Sequence, residues 1–323
     1  MFKRLMLALT TACAALLCTA AAAQDFPSHP VHIMVPWAPG GNVDITARTL
    51  QQAFSDALGQ PVIVDNRAGA GGTIGTAAVV KSAPDGYTLL LGSSGTVTSG
   101  AAVFKNLSYD PLKDLVPVGP IQYVAMVLTA APKTPVSNFK EYVALAKSKP
   151  GQVSIASAGN GSSNHLALEL MARQAGLKLV HVPYKGSGPA INDLLGSQVE
   201  SMMDQMTASI DHIRAGRIKA LGVTSLKRSP LLPDVPTLDE QGLTGFEAGT
   251  FTGLFAPAGT PPAVLDKLHA ALEKALANET VRARFRTMGV EVMHMSRPAF
   301  ATYVQADYEK WLKIAHEANI SIQ

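Results

Sequence analysis

Short apolar runs alternate along the chain with longer segments in which apolar residues recur every three or four positions. In the first third, runs at 31–35, 62–64 and 88–91 are separated by helical patterns at 43–58 and 73–81. The clearest helical face consists of Val43, Ala47, Leu50, Phe54 and Leu58. That spacing predicts an amphipathic helix ending at Gly59. The alternation as a whole predicts βαβ units and a parallel sheet.

The same alternation continues through the rest of the chain. Strands are predicted at 126–130, 153–156, 179–182, 218–224 and 251–256. Helices are predicted from Ser137, at 165–175, from Pro189, from Thr260-Pro261-Pro262 and at 298–318. Between them, residues 226–249 contain Pro230, Pro233 and Pro236, which favours a surface connection without regular structure.

The first 23 residues have the pattern of a secretory signal peptide, with basic Lys3 and Arg4, an apolar run and Ala21-Ala22-Ala23 before Gln24. We expect cleavage near Ala23-Gln24 and export of the mature chain. A membrane anchor is the alternative, but the apolar run at 5–17 is shorter than the ~20 residues that span a bilayer. The two cysteines, at positions 13 and 18, both lie in this segment. The mature chain therefore has no thiol chemistry.

Composition narrows the class of protein. The chain has 323 residues, of which 47% are hydrophobic and 16% are charged. These values are typical of a globular protein with about two domains. Removing Lys3 and Arg4 leaves 25 basic and 24 acidic residues, so the mature chain has no charge excess that would favour a nucleic-acid partner.

Four loops rich in glycine or hydroxyl groups follow predicted strands, which is where open α/β sheets bind ligands. In the first loop, residues 35–44, Gly40 and Gly41 let backbone N–H groups approach a ligand, and the following helix start favours an anion. The alternative is a tight turn without a ligand, in which Asn42 caps the helix and Asp44 interacts favourably with its dipole.

The other three loops extend this candidate anion site. Residues 92–96 and 157–165 each carry several hydroxyl groups, which donate hydrogen bonds without adding charge. The loop at 183–186 carries Tyr184, whose ring and hydroxyl suit a small acid, although packing alone would also explain it. Asp204 has the same ambiguity between a water or hinge contact and simple capping.

Enzymatic interpretations have weaker support. Ser93 or Ser94 with His165 and an aspartate would form a hydrolase, but Gly92-Ser93-Ser94-Gly95 differs from the nucleophile elbow. The segment Gly159-Asn160-Gly161 lacks the third glycine of a dinucleotide fingerprint. The eight histidines are scattered without metal-ligand spacing. We therefore expect a binding protein with no catalytic residue, metal or cofactor.

Motifs spread over nearly the whole mature chain carry a family resemblance. They are Val35-Pro36-Trp37-Ala38-Pro39-Gly40-Gly41 with Asp44 and Arg48, and the segments 65–75, 83–89, 109–111, 165–167, 183–186, 215–217, 232–237 and 255–261. From about Pro30 to the C-terminus, the chain resembles the Bug-type extracytoplasmic solute-binding proteins of tripartite tricarboxylate transporters.

This resemblance implies an α/β, two-domain periplasmic-binding-protein ("Venus flytrap") fold of type II-like topology, each domain a mainly parallel sheet flanked by helices. The chain would cross between the domains twice, near 122–127 and 225–228. Domain 1 would then comprise 24–124 plus 228–323, and domain 2 would be the inserted segment 125–227. The ligand would bind in the cleft between them.

The resemblance also implies a function. We expect a monomeric periplasmic receptor that binds a small organic acid, either a di- or tricarboxylate or an aromatic acid, and delivers it to the permease subunits of a membrane transporter. The residues expected to bind it are Trp37, Ala38, Gly40, Gly41, Asn42, Asp44, Ser93, Ser94, Thr96, Ser157, Gly159, Gly161, Ser162, His165, Tyr184 and Asp204. A secreted serine hydrolase and a protein that presents its ligand to a sensor are the alternatives.

Overall fold

Residues 26–318 are described by the computed structural model of the protein. The predicted signal peptide, its two cysteines and the predicted cleavage point lie outside the described residues. Within the described part of the chain, no helix combines the length and the apolar character needed to cross a bilayer.

Strands form at the apolar runs and helices at the segments between them. The strands are β1 (Val31–Val35), β2 (Val62–Asn66), β3 (Thr88–Ser93), β4 (Leu115–Ala130), β5 (Ser154–Ser157), β6 (Val180–Pro183), β7 (Ser201–Gln205), β8 (Lys219–Val223), β9 (Gly249–Pro257) and β10 (Glu291–Val292). The helices are α1 (Asn42–Leu58), α2 (Thr73–Val80), α3 (Ser94–Val97), α4 (Ser99–Val103), α5 (Pro111–Asp114), α6 (Phe139–Ser148), α7 (Ser163–Ala175), α8 (Ser187–Leu195), α9 (Met206–Arg214), α10 (Pro262–Ala277), α11 (Glu279–Thr287) and α12 (Arg297–Ala318).

The strands are hydrogen-bonded in the order β2-β1-β3-β9-β4-β7-β5-β6, and β8 and β10 also pair with β4. The outer groups are parallel, with β1 between β2 and β3, and β5 between β6 and β7. The central strands are antiparallel, since β9 runs against β3 and β4, and β4 runs against β7, β8 and β10. The expectation of mainly parallel sheets therefore holds only for the outer strands, because the strands that connect the two halves run in opposite directions.

Strand β4 belongs to both halves of the molecule. Residues Leu115–Ala125 pair with β9, whereas Met126–Ala130 pair with β7 and β8. The sequence predicts only 126–130 as strand, because Pro117 and Pro120 argue against the earlier part. Both prolines lie where the register shifts, so their missing N–H groups do not interrupt a regular ladder.

Thr224 connects the two places where the chain passes between the halves. Its hydroxyl oxygen accepts from Met126 N at 2.8 Å, and its hydroxyl donates to the carbonyl oxygen of Ala248 at 2.5 Å. Its backbone N donates to Met126 O at 3.0 Å, and Ala248 N donates to its carbonyl oxygen at 3.1 Å. A single buried threonine therefore joins β4 to the segment that leads into β9.

Each half has its own apolar core. In the first core, the predicted face of α1, including Leu50 and Phe54, packs with Leu268 and Leu272 of α10. Fully burying a side chain of this size stabilises a fold by about 1.5–3 kcal/mol. The second core contains Leu128 of β4 and neighbouring strand and helix residues. The connection before β9 contributes Leu238, Leu243 and Phe246 to this second core.

Several elements differ from the sequence prediction. Helix α6 begins at Phe139, and its cap is Asn138, whose side-chain oxygen accepts from Glu141 N, whereas the sequence indicates Ser137. The strands β7 and β10, the short helices α3, α4 and α5, and the nine-residue helices α9 and α11 are not predicted. Helix α11 has buried Val281 and Phe285 but four charged residues in nine positions, so its apolar signal is weak.

We predict that Thr224→Val lowers the free energy of unfolding by about 1–3 kcal/mol, because it leaves buried backbone groups without their partner. Urea denaturation of the variant and of the wild type measures this loss. Thr302→Val is the matched control, since the Thr302 hydroxyl lies on the exposed side of α12 and bonds only to Pro298 O of its own helix. Equal stability losses in the two variants would contradict the structural role of Thr224.

Candidate functional site

A cavity with about 320 Å³ of empty space lies between the two halves of the molecule. Its first side is formed by Trp37, Gly41, Asn42, Val43, Ser93 and Thr250. Its second side is formed by Ala158, Ser163, Asn164, Gly186, Ser187 and Gln205. Trp37, Gly41, Asn42 and Ser93 belong to the residues predicted from the sequence, and the other eight do not.

Four helices begin at this cavity. Asn42, Ser163 and Ser187 are the first residues of α1, α7 and α8, and Gln205 is the N-cap of α9. The N-terminus of a helix carries partial positive charge and unpaired N–H groups. Each helix N-terminus stabilises a nearby anion by about 0.3–1 kcal/mol. Among the described residues that line the cavity, none has a charged side chain. The cavity is therefore suited to an anion held by neutral donors.

The side-chain amides on the second side are already hydrogen-bonded to protein. Asn164 Nδ2 donates to Met203 O and to Gln205 Oε1, both at 3.1 Å. Gln205 Nε2 in turn donates to Asn164 Oδ1 at 3.0 Å. These mutual bonds fix both amides, so the second side offers a ligand mainly backbone N–H groups and hydroxyls.

Asp204 lies beneath the second side and does not line the cavity. It accepts hydrogen bonds from Ser187 Oγ at 2.6 Å, from Asn164 Nδ2 at 3.1 Å and from Ser209 Oγ at 3.1 Å. Burial raises the pKa of Asp204 to about 6, although these donors act in the opposite direction. The structure therefore gives Asp204 an orienting role for Ser187 and Asn164.

Asp44 has a similar position on the first side. It accepts from Gly40 N and Asn66 Nδ2 at 2.9 Å and from Arg48 Nε at 3.0 Å. These contacts hold the loop after β1 in its turn, as the alternative interpretation of this loop expects. The N-cap of α1 is Gly41, so the expected capping by Asn42 is wrong.

Two buried donors on cavity-lining residues have no hydrogen-bond partner among the described residues, namely Trp37 Nε1 and Asn42 Nδ2. Trp37 is only 6% exposed. A Cβ atom on Gly72, whose φ is +90°, would lie 3.2 Å from the Trp37 ring, so the indole packs directly on this backbone. An unpaired buried N–H group is unfavourable unless a ligand or water accepts from it.

Most hydroxyl groups in the loop after β3 form hydrogen bonds within the protein that stabilise the loop. Ser93 and Thr96 form a capping box, and Ser94 Oγ accepts from Phe251 N at 3.1 Å. Of these three predicted residues, only Ser93 lines the cavity. Ser94 and Thr96 support the loop from behind.

The loop after β5 is supported by a pair of stacked histidines. The rings of His165 and His181 are 4.1 Å apart, and Ser157 Oγ lies 2.6 Å from His181 Nε2. Burial, with a smaller effect of His165, lowers the pKa of His181 to about 4, so this ring is neutral at pH 7. His165 Nδ1 accepts from Gly161 N at 3.2 Å. None of these predicted residues lines the cavity.

The remaining predicted residues lie around the cavity. Ser162 accepts from His165 N at 3.2 Å and caps α7, and Tyr184 donates its hydroxyl to Asp193 at 2.6 Å. A Cβ atom on Gly159 would lie 2.6 Å from Tyr184 O, so only glycine fits at this position without a shift. These contacts shape the loops of the second half.

The two halves touch beside the cavity. Ala38 N donates to Lys185 O at 3.0 Å. A Cβ atom on Gly188 would lie 2.2 Å from Pro39 O, and one on Gly71 would lie 2.0 Å from Asn160 O. The cavity is thus flanked by backbone contacts that only glycine permits at these two positions.

This arrangement, in which a central strand shared by two α/β halves places helix starts around a cavity between them, is that of a two-domain periplasmic binding protein. Residues 46–320 match the family described as "Tripartite tricarboxylate transporter family receptor". The chain belongs to this family, as its motifs indicate.

Individual relatives support the assignment. Protein BugT of Bordetella pertussis is 37% identical over 302 residues, which covers 93% of each chain. The structure of MatC from Rhodopseudomonas palustris with bound malate is 36% identical, with a TM-score of 0.86, and covers 90% of this chain and 99% of that one. The structure of R. palustris Rpa4515 with adipate is 32% identical, with a TM-score of 0.88, and covers 92% and 99%. The expected fold class is confirmed.

We predict that the stability of the wild type falls relative to that of Asp204→Asn as the pH rises. The folded state binds the Asp204 proton with a pKa of about 6, above the ordinary value near 3.9, so protonation stabilises the fold at low pH. The difference in the free energy of unfolding should change by about 2 kcal/mol between pH 4 and pH 7.

Urea denaturation across this pH range measures the difference. Asp234→Asn is the control, because Asp234 is exposed and its replacement leaves the buried network intact. A difference between the wild type and Asp204→Asn that stays constant from pH 4 to pH 7 would contradict the effect of burial on Asp204.

Proposed function

We propose that this chain is a periplasmic receptor that captures a small carboxylate in the cavity and delivers it to the membrane permease of a tripartite tricarboxylate transporter. The observation that carries the proposal is the convergence of four helix starts on one cavity between the two halves. Several weak interactions with one carboxylate add up without an arginine. The predicted signal peptide and membership of the receptor family support the proposal that the mature chain is exported to the periplasm.

Dicarboxylates are the ligand class that the relatives favour. MatC holds malate and Rpa4515 holds adipate, and both molecules have a carboxylate at each end of an aliphatic chain. We therefore propose an aliphatic dicarboxylate rather than a large aromatic acid.

We propose that the protein has no catalytic activity. His165 contacts Gly161 N–H, His181 and Glu169, and Ser94 accepts from Phe251 N. Neither contact set pairs Ser94 with His165, as the alternative serine hydrolase requires. The alternative is a protein that presents its ligand-bound form to a sensor. Membership of a transporter receptor family favours transport over this alternative.

We further propose that the two halves close around the ligand as domains. The first crossing lies between Ala125 and Met126, where the partners of β4 change. The second lies at Ala248 and Gly249, since residues 238–248 contribute to the second core. The return to domain 1 that we propose is therefore later in the chain than the position 228 that the resemblance implies.

Calorimetry on the mature chain, residues 24–323, tests the ligand class. We expect saturable binding of malate, succinate or adipate, with the ligand recovered unchanged after incubation. No binding of these acids, of citrate or of benzoate would overturn the carboxylate proposal. Consumption of a bound ligand would overturn the absence of catalysis.

We predict that Gly188→Ala weakens ligand binding about tenfold or more, because the new Cβ would lie 2.2 Å from Pro39 O across the cavity entrance and oppose closure. The variant keeps its own fold, since alanine is favourable in a helix. Gly196→Ala is the control, because its Cβ would meet atoms no closer than 3.5 Å. Calorimetry gives the affinities, and small-angle scattering with ligand shows whether the variant stays open. Unchanged affinity in Gly188→Ala would contradict closure at this contact.

A further inference from the structure

A buried chain of hydrogen bonds lies under the first turn of α1. Gln122 Nε2 donates to Asn42 Oδ1 at 2.9 Å and to Thr46 Oγ1 at 2.7 Å. Its contact with Thr252 Oγ1 is longer, at 3.4 Å. All four side chains are buried. The chain therefore connects a cavity residue to the two central strands, β4 and β9.

The hydrogen bonds determine which way each amide points. The Thr46 hydroxyl has one hydrogen and donates it to Asn42 O at 2.7 Å, so its oxygen is left to accept from Gln122. Gln122 must then present its NH2 group, and Asn42 must present its oxygen to that group. Gln122 Oε1 has no partner among the described residues. The hydrogen bond from the Thr46 hydroxyl to Asn42 O therefore favours this orientation.

This orientation leaves the NH2 group of Asn42 free. Asn42 lines the cavity and is 3% exposed. Its Nδ2 atom has no hydrogen-bond partner among the described residues. The amides of Asn164 and Gln205 across the cavity bond to each other. Within residues 26–318, three side-chain amides line the cavity, and Asn42 has the one whose NH2 group is not already hydrogen-bonded to protein.

We propose that Asn42 Nδ2 donates to a carboxylate oxygen of the ligand and makes the cavity prefer a carboxylate over an amide at that position. Gln122 is a positioning residue, which holds the donor end of Asn42 toward the ligand. The inference rests on the proposed function, because it assigns a role within the same binding event. A primary amide would place its own NH2 group against that of Asn42 in half of its orientations, whereas a carboxylate has only acceptors.

The first test compares malate and adipate with their diamides, malamide and adipamide, in binding to the wild type, Asn42→Leu and Gln122→Met. Asn42→Leu keeps the size of the side chain and removes the donor, so we expect about a tenfold loss of affinity for the acid. Gln122→Met should lose about threefold to tenfold, because the Asn42 amide is then free to turn. In both variants the preference for acid over diamide should narrow.

A double variant separates positioning from general damage. If Gln122 acts through Asn42, then Asn42→Leu with Gln122→Met should bind the acid within about twofold of Asn42→Leu alone. Additive losses, or an unchanged acid-to-amide preference in Gln122→Met, would show a merely structural role for Gln122. Melting temperatures of the unliganded variants report whether each one folds.

Two threonines of the same network give a matched pair of variants, in which Thr46→Val is the test and Thr252→Val is its control. Thr46→Val removes the hydroxyl that fixes the direction of Gln122, so we expect it to weaken acid binding. Thr252→Val removes only the 3.4 Å contact, so we expect affinity within about twofold of the wild type. If the wild type binds an acid and Asn42→Leu binds it with the same affinity, this inference is overturned and the proposed function stands. Failure of the wild type to bind any acid would overturn the proposed function, and the inference with it.

Discussion

The whole molecule depends on one strand that is shared between two sheets. Because β4 pairs with β9 along its first part and with β7 and β8 along its last part, the two halves are joined by backbone hydrogen bonds. Their parallel strands then end toward a common gap, and the loops and helix starts that follow those strands meet there. Thr224 adds side-chain bonds to both crossings of the chain. The position of the cavity is therefore a consequence of the strand pairing, not of any single loop.

The chemistry of the cavity follows from this arrangement. Helix starts supply partial positive charge from both sides, and the nearest carboxylates, Asp44 and Asp204, lie one layer behind the surface. Each of them is surrounded by donors, so neither presents an uncompensated negative charge to a ligand. Their contribution is to hold the loop after β1 and the start of α8 in place. Neutral donors at the surface and buried acids behind it give an anion site of fixed geometry.

Sequence periodicity predicts most of this fold, since α1, α7, α10 and α12 all form at segments of helical spacing. It fails at the first part of β4, where prolines lie at register shifts, and at α11, where charge hides the apolar face. The site is predicted less completely. Trp37, Gly41, Asn42 and Ser93 stand out in unusual loops, but Ser187, Asn164 and Gln205 are ordinary polar residues at helix starts, and only tertiary contacts bring them together. His165 and Tyr184 attract attention by residue type, yet their side chains support neighbouring loops.

A site of this kind suits a receptor that must also release its ligand. Each neutral donor or helix start contributes about 1 kcal/mol or less, so no single contact retains the ligand once the others are lost. Because the donors lie on both halves, separating the halves by a few ångströms would break a large share of them together. A buried arginine pair would bind more tightly, but it would keep its hold on the carboxylate even in an open state. Weak donors distributed over the two halves would therefore couple affinity to the closure proposed above, which is the property that delivery to a permease requires.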